Sequence, residues 1–138
     1  METVSLFIQN GQDYLFAEFR DSIQGMFAVE ATDAVLTENA WHHVAWVKDD
    51  AELRFYVDGN LKQTVEHDRD GTANGTQPMV IGVHHYGATW NAPFNGIIDE
   101  VAVFREALNE NDIRQCMKNV VLVQLLERLA STWGKIKK

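Results

Sequence analysis

A single cysteine, Cys116, stands in 138 residues, so no internal disulfide can form and the sequence gives no positive sign of an oxidising compartment. Basic residues are also scarce, 12 Lys and Arg against 20 Asp and Glu, for a formal charge of −8. That balance repels a phosphate backbone, and with no basic-aromatic stripe it excludes nucleic acid as a general partner. No stretch approaches the roughly 18 to 20 apolar residues of a membrane span, so no membrane partner is expected. Residues 1–4 lack the basic region and apolar run of a signal peptide, so no leader is expected in this stretch. Catalytic equipment is missing too: there is no Ser-His-Asp order, phosphate-binding glycine loop or redox cysteine pair. Cys116 falls on an expected helix and reads as a small packed side chain rather than a nucleophile.

What is present is enough to fold. The chain is 46% hydrophobic and 10% aromatic, and at this length roughly two-thirds of the unfolded surface can be buried, so no metal, disulfide or cofactor is required. Charge divides the chain. Residues 1–117 carry 7 basic and 19 acidic side chains, net −12, whereas residues 118–138 carry 5 basic and 1 acidic, net +4. The division predicts a body over 1–117 and a distinct basic tail over 118–138.

The body reads as strands punctuated by turns. Residues 4–9 are followed by Asn10-Gly11, a dipeptide suited to a tight hairpin, with 14–19 as the return strand. Residues 24–29 form a further candidate weakened by Gly25, and 35–38 are ambiguous. Residues 41–48 alternate strongly, placing Trp41, His43, Ala45 and Val47 on one face and His42, Val44 and Trp46 on the other. Asp49-Asp50 turns the chain into 52–57, with Leu53, Phe55 and Val57 on one face, and Asp58-Gly59 turns it again into 61–66. Polar residues 67–77 read as a loop. Residues 79–83 and 96–104, nearly all apolar or β-branched, have the look of central sandwich strands, with a loop over 84–95 between them. Asn109 predicts the N-cap of a short helix through Asp112, Ile113 and Cys116 to Met117. In the tail, Leu122, Leu125, Leu126, Leu129, Trp133 and Ile136 fit one stripe of an amphipathic helix. Such a helix is marginal alone in water and needs a surface to cover, on its own sandwich or on a twin chain.

Three segments in series resemble a known family. Trp41-His42-His43-Val44-Ala45-Trp46-Val47, then Leu53-Arg54-Phe55-Tyr56-Val57-Asp58-Gly59, then Phe94-Asn95-Gly96-Ile97-Ile98-Asp99-Glu100-Val101-Ala102-Val103-Phe104 with Ala107-Leu108, are similar to laminin G-like domains of the concanavalin A-like superfamily. The resemblance implies an all-β, antiparallel jelly-roll sandwich of two sheets, a short helix after the last strand, and a role in binding carbohydrate or protein. It also implies an extracellular setting if the chain is part of a larger secreted protein. The match begins partway into the family pattern, with no counterpart for an early Trp-containing strand. A sandwich short of strands exposes backbone and apolar area, so homodimerisation is a corresponding expectation.

The glycan hydrolases that share this sandwich place carboxylates two apart on one strand face. Here Asp99 and Glu100 are adjacent, and Ile97 and Val101 fill the required positions, so no enzymatic activity is expected. Asp99 or Glu100 reads first as a turn hydrogen-bonder, with calcium ligation as the alternative, because hard cations gather several oxygens. Asp68 and Asp70, with Gly71 and Asn74 nearby, form a second oxygen-rich candidate for calcium, against a plain solvated turn. The pairs His42-His43 and His84-His85 lack zinc spacing, since neighbours on a strand face opposite sides. Binding is the readable function. Sugar sites pair an exposed aromatic with amides or carboxylates, and Tyr86, Trp90, Asn91 and Asn95 offer that combination on one expected loop, against the alternative that Trp90 and Phe94 plug the end of the sandwich. A structural or assembly domain, self-associating through the missing-strand surface and the tail, is the other reading.

Overall fold

The computed structural model describes residues 4–8, 11–21, 25–49, 51–68, 79–86 and 89–118. The first sheet runs β1 (Val4–Ile8), β2 (Tyr14–Asp21), β3 (Gly25–Val35), and the second runs β4 (Val44–Lys48), β5 (Glu52–Val57), β6 (Asn60–Glu66). All pairings are antiparallel between sequence neighbours. β7 (Val83–Tyr86) and β8 (Thr89–Pro93) form a separate two-stranded ribbon, and α1 (Glu110–Met117) follows.

The core follows from the period of two. Leu15, Ala17 and Phe19 of β2 and Val29, Ala31 and Ala34 of β3 meet Leu53, Phe55 and Val57 of β5, with Leu6, Ile8, Trp46 and Val65 packed around them. In β3 the parity changes, because Leu15 pairs with Ala31 but Tyr14 pairs with Val35. That bulge lets Ala31 and Ala34, three apart, both face inward. At the margin of the sandwich the Gln63 amide joins the sheets, accepting from Asp33 N–H at 3.1 Å and donating to Glu30 C=O at 3.3 Å.

The outer face of the second sheet is covered by α1, whose Ile113 packs on Val47 and Tyr56 with Ala45 and Leu108 beside them. Asn109 caps this helix as expected: its side chain accepts from the Asn111 and Asp112 N–H groups, and Asp112 accepts in return from Asn109 N–H. Cys116 is half-buried, and burial, followed by the nearby Asp112 carboxylate, pushes its thiol up.

Several expected boundaries move. The first hairpin pairs Ile8 with Leu15, and its return strand starts at Tyr14 as expected, while Asn10 lies outside the described residues. The candidate at 24–29 lengthens into β3, which Gly25 opens at φ +82° and which ends at Val35, the first residue of the candidate at 35–38, whose other residues are not strand. The sequence places a loop at 84–95, but most of it is the β7–β8 ribbon, extended by Phe94 N–H donating to Gly82 C=O. The expected strand at 96–104 is extended chain without ladder pairing among the described residues. Its alternating apolar residues match a strand, but a strand also needs a hydrogen-bonding neighbour. Ile97, Val101 and Val103 are consequently exposed. Residues 69–77 of the loop expected at 67–77, and the expected helical tail from residue 119, lie outside the described residues.

Candidate binding site

One end of the second sheet is organised by the β5–β6 turn. Asp58 and Gly59 take φ +52° and +72°, the positive angles of the tight turn that Asp-Gly favours. In this conformation Asp58 Oδ1 accepts from His43 N–H at 3.0 Å, and Oδ2 accepts from His42 Nδ1 at 2.8 Å. His42 Nε2 accepts from Thr37 N–H at 3.1 Å. A backbone N–H can only donate, so the imidazole proton is placed on Nδ1 and given to Asp58. Burial pushes the Asp58 carboxyl up, but the His42 and His43 hydrogen bonds and the two imidazole charges outweigh it and hold it below its ordinary value.

These bonds accompany the start of β4 at Val44 rather than Trp41: His42 and the His43 N–H bond to the Asp58 side chain, and only His43 C=O continues the backbone pairing, accepting from Asp58 N–H at 2.8 Å. Ala45 and Val47 face α1 and Trp46 faces the core, as the alternation predicts. His43 is half-buried and its Nδ1 has no hydrogen-bond partner. Burial lowers its pKa, against the opposing pull of the Asp58 and Glu100 carboxylates. Trp41, just outside the strand, is 69% exposed. Sequence reasoning placed it on a strand, on the face of His43, Ala45 and Val47, and the missed signal is the Asp-Gly turn, whose carboxylate needs partners upstream of β4.

The expected ligand residues sit on and beside the ribbon. Tyr86 pairs with Thr89, His85 with Trp90 and His84 with Asn91 in register, and Asn95 follows, exposed. The ribbon thus brings Tyr86, Trp90 and Asn91 together in the backbone, with Asn95 beyond its end.

The metal candidates are dispersed. Asp99 Oδ1 accepts from Glu100 N–H at 2.8 Å while Glu100 takes φ +53°, a local turn use. Asp68 follows β6, a seven-residue strand of roughly 20 Å, at the end remote from the β5–β6 turn. Asp70 lies outside the described residues. Among the described residues no three His, Cys, Asp or Glu side chains gather as a potential metal site. No described helix is long and apolar enough to cross a membrane.

Comparison with known proteins accounts for this architecture. The family model of the concanavalin A-like lectin/glucanases superfamily, laminin G type, matches residues 2–114. A solved structure of residues 221–444 of an S-layer domain-containing protein from Clostridium thermocellum is similar at a TM-score of 0.52 and 19% identity. The match covers 84% of this chain and 63% of that one, so the chain spans less than two-thirds of its structural neighbour, and at this identity the likeness is one of fold. No curated protein sequence matches. The chain belongs to the concanavalin A-like lectin/glucanases superfamily.

Proposed function

We propose that this member of the concanavalin A-like superfamily is a non-enzymatic recognition module that binds a glycan or protein surface at the end of its sandwich, with Tyr86, Trp90, Asn91 and Asn95 as ligand contacts. The observation that carries the reading is the β7–β8 ribbon. It stands outside the two core sheets and pairs aromatic and hydrogen-bonding residues in adjacent register positions. Such a ribbon on a rigid sandwich suits a sugar, whose apolar face stacks on a ring while its hydroxyls bond to amides. The S-layer domain in the description of the structural neighbour supports a cell-surface setting. No resident cofactor is needed in this reading, and calcium at Asp68, Asp70 or Asp99 is the one metal it admits. Calorimetric titration with calcium chloride checks the metal, since absence of both heat and a rise in melting temperature removes it.

The test of the binding reading is a glycan array probed with the native chain and with Trp90→Ala and Trp41→Ala, each first shown to be folded by its thermal transition. Loss of the bound glycan class in Trp90→Ala, with retention in Trp41→Ala, supports the ribbon. Profiles identical between the native chain and Trp90→Ala remove it as the sugar site.

A further inference from the structure

The exposed large apolar side chains are unevenly distributed. Of the thirteen among the described residues, eight fall between Met79 and Val103. Gly82 joins two parts of the run: Phe94 N–H bonds to Gly82 C=O at 2.8 Å, and Ile98 Cδ1 lies 3.8 Å from the position of a Cβ on Gly82. From Phe94 the strip runs through Ile97, Val101 and Val103, exposed by 45%, 75%, 52% and 72%. Soluble surfaces rarely leave so many neighbouring apolar residues in water, and a strip of this kind marks a covered or interacting surface. Its polar margin is net acidic, with Asp99, Glu100 and Glu106 exposed against Arg105.

We propose that this strip is covered by the chain's own residues 119–138. Three observations select that occupant. The first is charge. This segment carries Arg128, Lys135, Lys137 and Lys138 against Glu127 alone, opposite in sign to the strip's margin. The second is where the segment departs. Arg114 and Met117 of α1 lie against Gly59, and Arg114 Nε donates to Gly59 C=O at 3.0 Å. The adjoining Asp58 holds His43, so the segment leaves α1 beside the β5–β6 turn, within reach of the field that Glu100 of the strip exerts on His43. The third is length. Twenty residues as a helix span about 30 Å, and the ten residues 94–103, which bend at Gly96 and take a positive φ at Glu100, reach less than the roughly 33 Å of a strand of that length. The stripe of Leu122, Leu125, Leu129, Trp133 and Ile136 then has the apolar surface that an isolated amphipathic helix lacks. The covering is independent of any ligand at the ribbon.

A one-to-one equilibrated mixture of isotopically heavy and light full-length chains, treated with a carbodiimide, tests the occupant without a substitution. The expected products are amide links between Lys135, Lys137 or Lys138 and Asp99, Glu100 or Glu106 within chains of one isotope. Links found only between heavy and light chains would assign the strip to a second copy and overturn the proposal. Hydrogen exchange reads the apolar part separately: Leu125→Asp with Leu129→Asp should speed exchange of amides 94–104 by roughly tenfold or more while β5 keeps its protection. Absence of links, or exchange at 94–104 equal to the native chain with β5 still protected, would also overturn it. If β5 loses protection in that variant, Lys135→Glu with Lys137→Glu replaces it, with the same expected and overturning results.

Discussion

Asp58 combines a backbone requirement with two side-chain roles. Its positive φ is tolerated because a short polar side chain bonds locally, and its two oxygens hold the backbone of His43 and the ring of His42. Asp58→Ala should lower stability by about 1 to 2 kcal/mol, the modest range for bonds to a half-exposed carboxylate. Asp58→Asn should cost less, since it keeps the turn angle and one acceptor. Urea midpoints of the three proteins check the order. His43 supplies a pH dependence at the same place. Its folded pKa lies below the ordinary value of about 6.5, so the unfolded chain binds the proton more readily. Its contribution is complete above that value and declines as pH falls through it. Asp58, held low, contributes above its ordinary range of about 4 and loses that contribution as pH falls further through its folded pKa. His43→Gln should flatten the melting temperature between pH 7 and 5 relative to the native chain while leaving the steeper fall near pH 3 to 4. Only the local half of this network was legible in the sequence. Asp-Gly announces a turn because its backbone chemistry is local, whereas the partners of its carboxylate lie 15 and 16 residues upstream and follow from β4–β5 pairing.

Among the elements, α1 was the most readable beforehand. The cap at Asn109 and the apolar Ile113 are local in sequence, whereas the Arg114 bond to Gly59 C=O is not. Asn109→Ala should cost about 1 kcal/mol by freeing two helix N–H groups. Ile113→Ala should cost about 2 to 4 kcal/mol, because it removes the buried anchor of the second apolar cluster. A larger loss of denaturation midpoint for Ile113→Ala than for Asn109→Ala is the expected result. Equal losses would mean that the helix is held by its cap rather than its docking. The strands around residues 79–104 were less legible. Apolar, β-branched runs at 79–83 and 96–104 carry the composition of central strands, but composition does not specify which neighbour supplies the hydrogen bonds. The ribbon at Val83–Tyr86 and Thr89–Pro93 instead forms from a mixed polar and aromatic stretch whose two halves are adjacent in sequence, a pairing with a small loop-closure cost. The sugar-site residues were therefore singled out by composition before their backbone setting was known.

At the scale of the whole molecule, the two sheets share one core, so a change in either should be felt in both. Each contains only consecutive antiparallel neighbours, and a three-stranded sheet with one bare apolar face is weak by itself. Ala17, Ala31 and Ala34 are fully buried opposite Leu53 and Phe55. Small residues on the first sheet thus face large ones on the second. Ala31→Leu adds bulk where neither sheet has space and should destabilise the fold by about 1 to 3 kcal/mol. If the sandwich is one cooperative unit, amide protection at the centres of β2 and β5 should fall by the same free energy, although only one sheet carries the substitution. Native-state hydrogen exchange at Ala17 and Phe55 measures both. A loss confined to β2, with β5 unchanged, would show that the second sheet and α1 persist without the first. The Gln63 bridge supplies a control at the same interface, because it joins β6 to β3 through hydrogen bonds rather than volume. Gln63→Ala should lower protection in both sheets equally, by about 1 kcal/mol for the two backbone groups it releases to water at the sandwich margin.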